Sequence, residues 1–244
     1  MDGSCFADVL SVHIALTQNE IDALARLEER NRTLKRGAVL RRSNDAGNEL
    51  FVLRKGCIMT YVILGDGARQ ILRFHFPGDM LGLSSILYQE APETICALSE
   101  CVVCPFEKSG LSELVELHPR LAAMILVYGQ IERVALTDRL AALGRTSAKA
   151  RVGSLLLELR NRLRAADREI GDGFVLGLTQ EEIGDATGLT AVHVNRMLRQ
   201  LEEEGMIART GGRVTIRDEI ALTAASNYVD RYEGLDLSWL PKGR

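Results

Sequence analysis

Between Leu178 and Arg217 the chain carries two helix caps, a turn glycine between them and a Gly-Gly pair beyond, a combination few folds satisfy. Thr179 with Glu182 three positions on is a capping box, in which hydroxyl and carboxylate each accept an otherwise orphaned backbone N–H. The predicted helix ends at Gly188, where a backbone at positive φ is needed. Thr190 caps a second helix, on which Val194, Leu198 and Leu201 recur at helical spacing and point inward. Gly184 is small enough to let that helix cross closely, with Ile183 and Leu189 filling the space between. Two helices joined by so short a turn form a helix-turn-helix, whose second helix enters the major groove of DNA. Beyond Gly205 and the apolar Met206-Ile207, two short strands around Gly211-Gly212 predict a tight hairpin, the wing.

The outward face of the second helix presents Ala191, Val192, His193, Asn195, Arg196 and Arg199. Arg196 has the chemistry for a bidentate contact with guanine, Asn195 for adenine or a phosphate, and Val192 for a thymine methyl. The competing reading of Arg196 is a surface ion pair with Glu202 or Glu203. His193 is either a donor to DNA or a solvent-exposed spacer. Thr179 and Gln180, at a helix N-terminus, are placed to hold a phosphate, and Thr190 joins the DNA-binding set. Arg209, Arg213 and Arg217 on the hairpin are within reach of phosphates, unless Arg213 is only a solvated turn residue.

The rest of the chain changes period twice. Residues 17–34 are predicted as a helix, opened by a second capping box at Thr17 and Glu20. From Gly37 to Phe106 the pattern is short β-runs, 38–41, 50–53, 57–63, 69–76 and 95–106, separated by Gly56, Gly65-Asp66-Gly67 and Pro77-Gly78-Asp79. Many short strands at even spacing predict a sandwich or barrel. From Pro119 to about Leu143, Leu121, Met124, Ile125, Tyr128, Ile131, Val134 and Ala135 recur at helical steps. A helix this long with a narrow apolar stripe predicts a dimer seam through Met124, Tyr128, Ile131 and Ala135; the alternative is a helix packed on its own β-domain. Another helix covers 146–165. The domain expectation is thus a β-roll with an N-terminal helix over 1–117, a dimerisation helix over 118–144 and a winged helix-turn-helix over 145–244.

Composition narrows the class. At 46% hydrophobic, 244 residues bury one large core or two ordinary ones. The net charge of -3 gives DNA binding no help, although only the contacting face must be positive. The N-terminus lacks the basic start of a secretory signal, and no apolar run reaches about 18 residues. A cytoplasmic protein without membrane contact is expected.

Cys5, Cys57, Cys96, Cys101 and Cys104 are an odd count, read as reduced thiols. Cys96, Cys101 and Cys104 are the candidate redox residues; the plainer reading is small buried apolar side chains. If 95–106 is one strand, Cys96 and Cys104 share a face and Cys101 and Cys104 do not. The histidines are scattered, so no metal site is expected. His75 is either a haem or metal ligand or an ordinary strand residue. No nucleophile, base and orienting group stand at plausible spacing, so no catalytic residues, no enzyme and no cofactor are expected.

In its order of β-roll, long helix and winged helix-turn-helix, the chain resembles the Crp/Fnr family of bacterial transcription regulators from about residue 17 to 231. Residues 76–82 (FPGDMLG), 144–148 (GRTSA) and 178–207 carry the resemblance. It implies an α+β fold, a cyclic-nucleotide-binding-type jelly-roll followed by the dimerisation helix and winged domain. It further implies a homodimer on a two-fold symmetric operator, with RNA polymerase as a partner. Members that bind cyclic AMP hold its phosphate with an Arg-Ser pair. Ala91 and Pro92 stand at those places here and Glu93 would repel a phosphate, so no cyclic nucleotide is expected. Members with a [4Fe–4S] cluster use several N-terminal cysteines; Cys104 matches their barrel cysteine, but only Cys5 lies near the N-terminus. Many relatives have Glu at Val192 and Ser or Gly at Asn195, while Arg196 matches, so the operator sequence is expected to differ.

Two other classes compete: a ligand-binding module acting without DNA, its C-terminal part serving protein contacts, and a redox or metal enzyme built on the β-roll cysteines. The expected function is a sequence-specific regulator whose β-roll responds to an unidentified signal, with a thiol-redox-responsive regulator as the alternative.

Overall fold

The structure is a computed structural model that describes residues 3–166 and 170–241. They divide into two compact units, the first within residues 1–62, 72–131 and 235–244, the second within 63–71 and 132–234. The division falls inside the long helix, and residues 235–241 belong again to the first unit.

The first unit opens with helices α1 (Cys5–Ser11) and α2 (Gln18–Leu27), the latter started by the Thr17–Glu20 capping box. Eight strands follow: β1 (Arg32–Leu34), β2 (Val39–Arg41), β3 (Glu49–Lys55), β4 (Ile58–Ile63), β5 (Arg69–His75), β6 (Met80–Leu81), β7 (Thr94–Ala97) and β8 (Cys101–Glu107). They form two four-stranded sheets, β1-β8-β3-β6 and β2-β7-β4-β5. Helices α3 (Lys108–Leu117) and α4 (Pro119–Arg145) come next.

Strand β3 shows why the roll forms. It pairs with β8 in the register Leu50↔Phe106, Val52↔Cys104 and Leu53↔Val103. Alternate side chains enter different cores: Leu50, Val52, Cys104 and Phe106 meet the helices, while Phe51, Leu53, Cys101 and Val103 meet residues of the second sheet. A strand covered on both faces reads as a continuous apolar run, as Leu50 to Leu53 does.

Two expectations are corrected here. The helix predicted over 17–34 stops at Leu27, because the charged stretch 28–32 has no apolar face to bury. Glu28 instead turns inward as a buried carboxylate, accepting from the Ser4 hydroxyl and the Cys5 and Phe6 amides, and 32–34 become strand β1 beside β8. The run 95–106 is two strands in different sheets, so Cys96 and Cys104 do not share a face.

The second unit contains α5 (Ala148–Ala166), β9 (Gly173–Val175), α6 (Gln180–Thr187), α7 (Ala191–Glu203), β10 (Ile207–Thr210), β11 (Arg213–Ile216) and α8 (Glu219–Ser226). Helix α5 buries Val152, Leu155, Leu156 and Leu159. Its Arg160, 1% exposed, is held bidentately by Glu219 at the start of α8. Pairing two planar groups this way satisfies a cation that burial would otherwise penalise.

Candidate nucleic-acid interface

Helix α6 begins with the full capping box: the Thr179 hydroxyl accepts from Glu182 N, and the Glu182 carboxylate accepts from Thr179 N at 2.7 Å. It ends at Gly188, with φ +66°. Gly184 allows the crossing. A β-carbon there would stand 2.3 Å from the carbonyl oxygen of Leu189, backbone that has no room to yield. Thr190 caps α7 by accepting from His193 N, and Val194, Met197, Leu198 and Leu201 bury its inner face. Met197 extends the stripe read from sequence by one residue.

The hairpin β10–β11 is joined by Gly211 and Gly212, both at positive φ, as a two-residue turn compatible with strand twist requires. Strand β9 adds a third member through the register Val214↔Phe174. Three residues are too few for the sequence pattern to reveal it.

The outer face of α7 is open. Val192 is 82% exposed, Arg196 and Arg199 are exposed, and Asn195 is half-buried. Arg196 Nη2 lies 2.7 Å from His193 Nε2, and among the described residues no carboxylate bonds to it. Of the two acids read as competitors for it, Glu202 is engaged elsewhere: it accepts from the Arg209 backbone at 3.0 Å and its guanidinium at 2.6 Å. The Arg209 contact holds the Glu202 carboxyl below its ordinary value.

Two expected phosphate contacts are placed differently. Arg209 is spent on Glu202. Arg213 folds back to donate to the carbonyl of Gly173. The capping box takes the Thr179 amide and puts Glu181 and Glu182 in the first turn, but the exposed Thr179 hydroxyl only accepts there and keeps its own O–H beside the exposed Gln180. Arg217 remains exposed beyond β11. Beyond those two arginines, the expected polar residues left at least partly exposed are therefore Thr179, Gln180, Thr190, His193, Asn195, Arg196, Arg199 and Arg217.

Comparison with known proteins gives this geometry its context. Residues 31–118 match the family model of the cyclic nucleotide-binding domain, and residues 150–225 that of the Crp-like helix-turn-helix domain. The transcriptional activator protein anr of Pseudomonas aeruginosa is 31% identical over 222 residues, covering 90% of each chain. The chain belongs to the Crp/Fnr family of transcription regulators. The anaerobic regulatory protein of Pasteurella multocida is 29% identical over 91% of this chain and 81% of its own. Among solved structures, FixK2 of Bradyrhizobium japonicum shares the fold, with a TM-score of 0.72, 24% identity and 82% of this chain and 98% of that chain covered. A CRP-family transcriptional regulator of Thermus thermophilus has a TM-score of 0.65 at 26% identity, covering 80% of this chain and 96% of its own.

As a Crp/Fnr protein, the chain departs from a cyclic-nucleotide binder inside the roll. The stretch 90–94 brings no cation. Ala91 is buried with its backbone bonded to Asn44 and Asp45, and Pro92 is exposed. Glu93 accepts from the Ser84 hydroxyl at 3.4 Å, and burial raises its pKa. A half-buried carboxyl there offers no positive charge to a phosphodiester.

Cys101 and Cys104 belong to different cores, while Cys5 and Cys104 share the neighbouring charges of Glu28 and Arg54. Cys101 sits between the sheets, and Cys104 lies under the helices with Sγ 3.5 Å from Asn31 Oδ1. Burial raises the Cys104 pKa to about 11, and burial followed by the Glu28 charge raises that of Cys5. Raised thiols are slow nucleophiles. His75 is a buried interior residue, with Nε2 2.7 Å from Thr60 Oγ1 and Nδ1 3.8 Å from Asp79 Oδ2.

Of the four expected seam residues, Met124 and Ile131 are buried in the single chain, while Tyr128 and Ala135 are half-exposed. Met124 is fully buried in its own unit's core, Tyr128 packs there and donates to the carbonyl of Val9, and Ile131 is 6% exposed. Ala135 lines a cavity of the second unit. The exposed apolar residues of α4 are Leu126, Leu136 and Leu140. With Gly129 and Arg133 between them, they step by three and four along the helix, the spacing of a two-helix seam.

Proposed function

We propose that this regulator acts in the cytoplasm as a homodimer, joined along Leu126, Leu136 and Leu140, and reads a two-fold symmetric operator with α7. The observation that carries the reading is Arg196, exposed on a capped and rigidly packed helix and bonded to no carboxylate. A guanidinium left in that state is available for the O6 and N7 of guanine. Asn195 and Val192 flank it for an adenine or phosphate and a thymine methyl; Gln180, Arg199 and Arg217 supply backbone contacts. Two copies of α7 related by the dimer axis would meet half-sites about one helical turn, roughly 34 Å, apart. RNA polymerase is the further protein partner, and the β-roll is the signal-receiving half, for a ligand other than a cyclic nucleotide.

The test is fluorescence anisotropy of a labelled operator duplex against protein at several salt concentrations. Specific binding should weaken steeply with salt, as counterion release demands. Binding that ignores salt, or that a scrambled duplex matches, overturns the reading.

A further inference from the structure

Away from the recognition face, the second unit encloses a cavity of about 330 Å³. Its walls come from the C-terminal half of α4, from α5, from the end of α6 and from the chain that follows α8. Four arginines stand on these walls against two carboxylates. Two of the arginines are closed off in ion pairs, Arg139 with Glu158 and Arg231 with Asp138, each at 2.6 Å. Arg151 has no such partner. Its Nη1 donates to the carbonyl of Thr187 at 2.7 Å, while its Nε is buried with no acceptor. Ser226, on the same wall, also keeps a buried hydroxyl without a partner.

A buried donor left unmade costs stability, so its retention beside an open cavity calls for a missing acceptor. The rest of the lining is largely apolar, with Ala142, Leu143, Leu155 and Val229. The volume is that of a small-molecule site at the low end of the usual range.

We propose that this cavity binds a small organic acid, its anionic group on Arg151 and its compact apolar body against Leu143, Leu155 and Val229. Thr187 is the last residue of α6, immediately before the Gly188 turn. An anion on Nε leaves Nη1 on the Thr187 carbonyl and holds the guanidinium where it supports that turn. On the operator-reading role proposed above, the ligand then acts on the recognition helix from within its own unit. Binding itself does not depend on that role.

The experiment is calorimetric titration of the full chain, free of DNA, with benzoate and phenyl phosphate as carboxylate and phosphate probes and benzamide as the neutral counterpart. Backbone amide shifts locate the site. The expected result is saturable binding of at least one acid, one per chain, with shifts at Thr187, Gly188 and Leu155 and benzamide at least about tenfold weaker. The acid that binds more tightly identifies the group Arg151 takes. Arg151→Met should abolish binding. Because that change also removes the bond to Thr187, Ala142→Leu is the second variant, filling the cavity from α4 without touching Arg151, and it should abolish binding too. No saturation by either acid, equal binding of benzamide, or binding unchanged by Ala142→Leu overturns the proposal. None of these outcomes bears on operator binding, which is measured separately.

Discussion

Gly184 and Leu189 approach so closely that the helix-turn-helix has no room for one more carbon: a β-carbon on Gly184 would stand 2.3 Å from the Leu189 carbonyl oxygen. Gly184→Ala must therefore push α6 and α7 apart. Overpacking of this kind costs about 1–3 kcal/mol, and operator affinity should fall with it because the recognition helix moves. Urea unfolding followed by far-UV circular dichroism checks the first effect and anisotropy the second. A variant as stable as the parent would show that the crossing is looser than the geometry says.

Arg196 and Arg217 should fail in different ways. Arg196→Ala should cost about 1–3 kcal/mol against the preferred operator and relax preference at one base pair per half-site, with the fold intact. Arg217→Ala should weaken all duplexes alike and lower the salt slope by about one. Affinities for operator and single-base variants at two salt concentrations separate them. If Arg196→Ala keeps its base preference, the residue does not read a base.

The two apolar stripes of α4 make opposite predictions for two glutamates. Leu140→Glu, at a residue 71% exposed in the chain alone, should lower the dimer mass seen by light scattering and leave the melting temperature of the monomer nearly unchanged. Ile131→Glu places a charge where only 6% of the side chain is exposed, and should unfold the protein before it tests association. A Leu140→Glu protein that remains dimeric would move the seam elsewhere.

Acid and base act on different carboxylates. Glu202 and Glu219 are held below their ordinary values by Arg209 and Arg160. Their stabilisation is complete above the ordinary carboxylate range and is lost as pH falls through the lowered values. Glu93 is raised by burial, so the folded state holds its proton more tightly and stability falls as pH rises through its raised value. Glu93→Gln should raise the melting temperature at neutral pH and lose that advantage in acid. Glu219→Gln should do the reverse, costing stability at neutral pH and little in acid. Melting curves across pH check both, and parallel curves for Glu93→Gln and its parent would contradict the assignment.

The buried thiols should be chemically quiet. With a pKa of about 11, Cys104 is a thiolate about once in ten thousand molecules at neutral pH. Mild peroxide should leave operator affinity unchanged, and iodoacetamide should label Cys104 only after unfolding. A peroxide-dependent loss of affinity that Cys104→Ser removes would restore the thiol-responsive reading.

What the sequence makes legible here is what is local. The caps at Thr17, Thr179 and Thr190 and the turn at Gly188 each depend on residues within about four positions of one another, and each forms as read. The inner face of α7 follows its period, and the Gly-Gly hairpin follows from what the turn demands of φ. The misreadings come from distance. Nothing near Glu28 announces that the amides of residues 5 and 6 will claim it. Glu202 and Arg209 are neighbours only because the wing folds back beside α7, which removes one cation from the interface and engages one of the two acids expected to compete for Arg196. Helix α4 has apolar residues on two faces, and periodicity alone does not say which meets its own chain. Cys96 and Cys104 were separated by the turn at 98–100, too short a break to interrupt the apolar pattern.

If α7 of two copies reads a symmetric DNA sequence, that symmetry is recoverable by selecting bound duplexes from a random library with reduced protein and no added ligand. The expected result is a two-fold symmetric motif with half-sites about one helical turn apart, a preferred guanine in each, and loss of that guanine preference when Arg196→Ala is used. Enrichment of no motif, or of an asymmetric one that Arg196→Ala leaves unchanged, would contradict it.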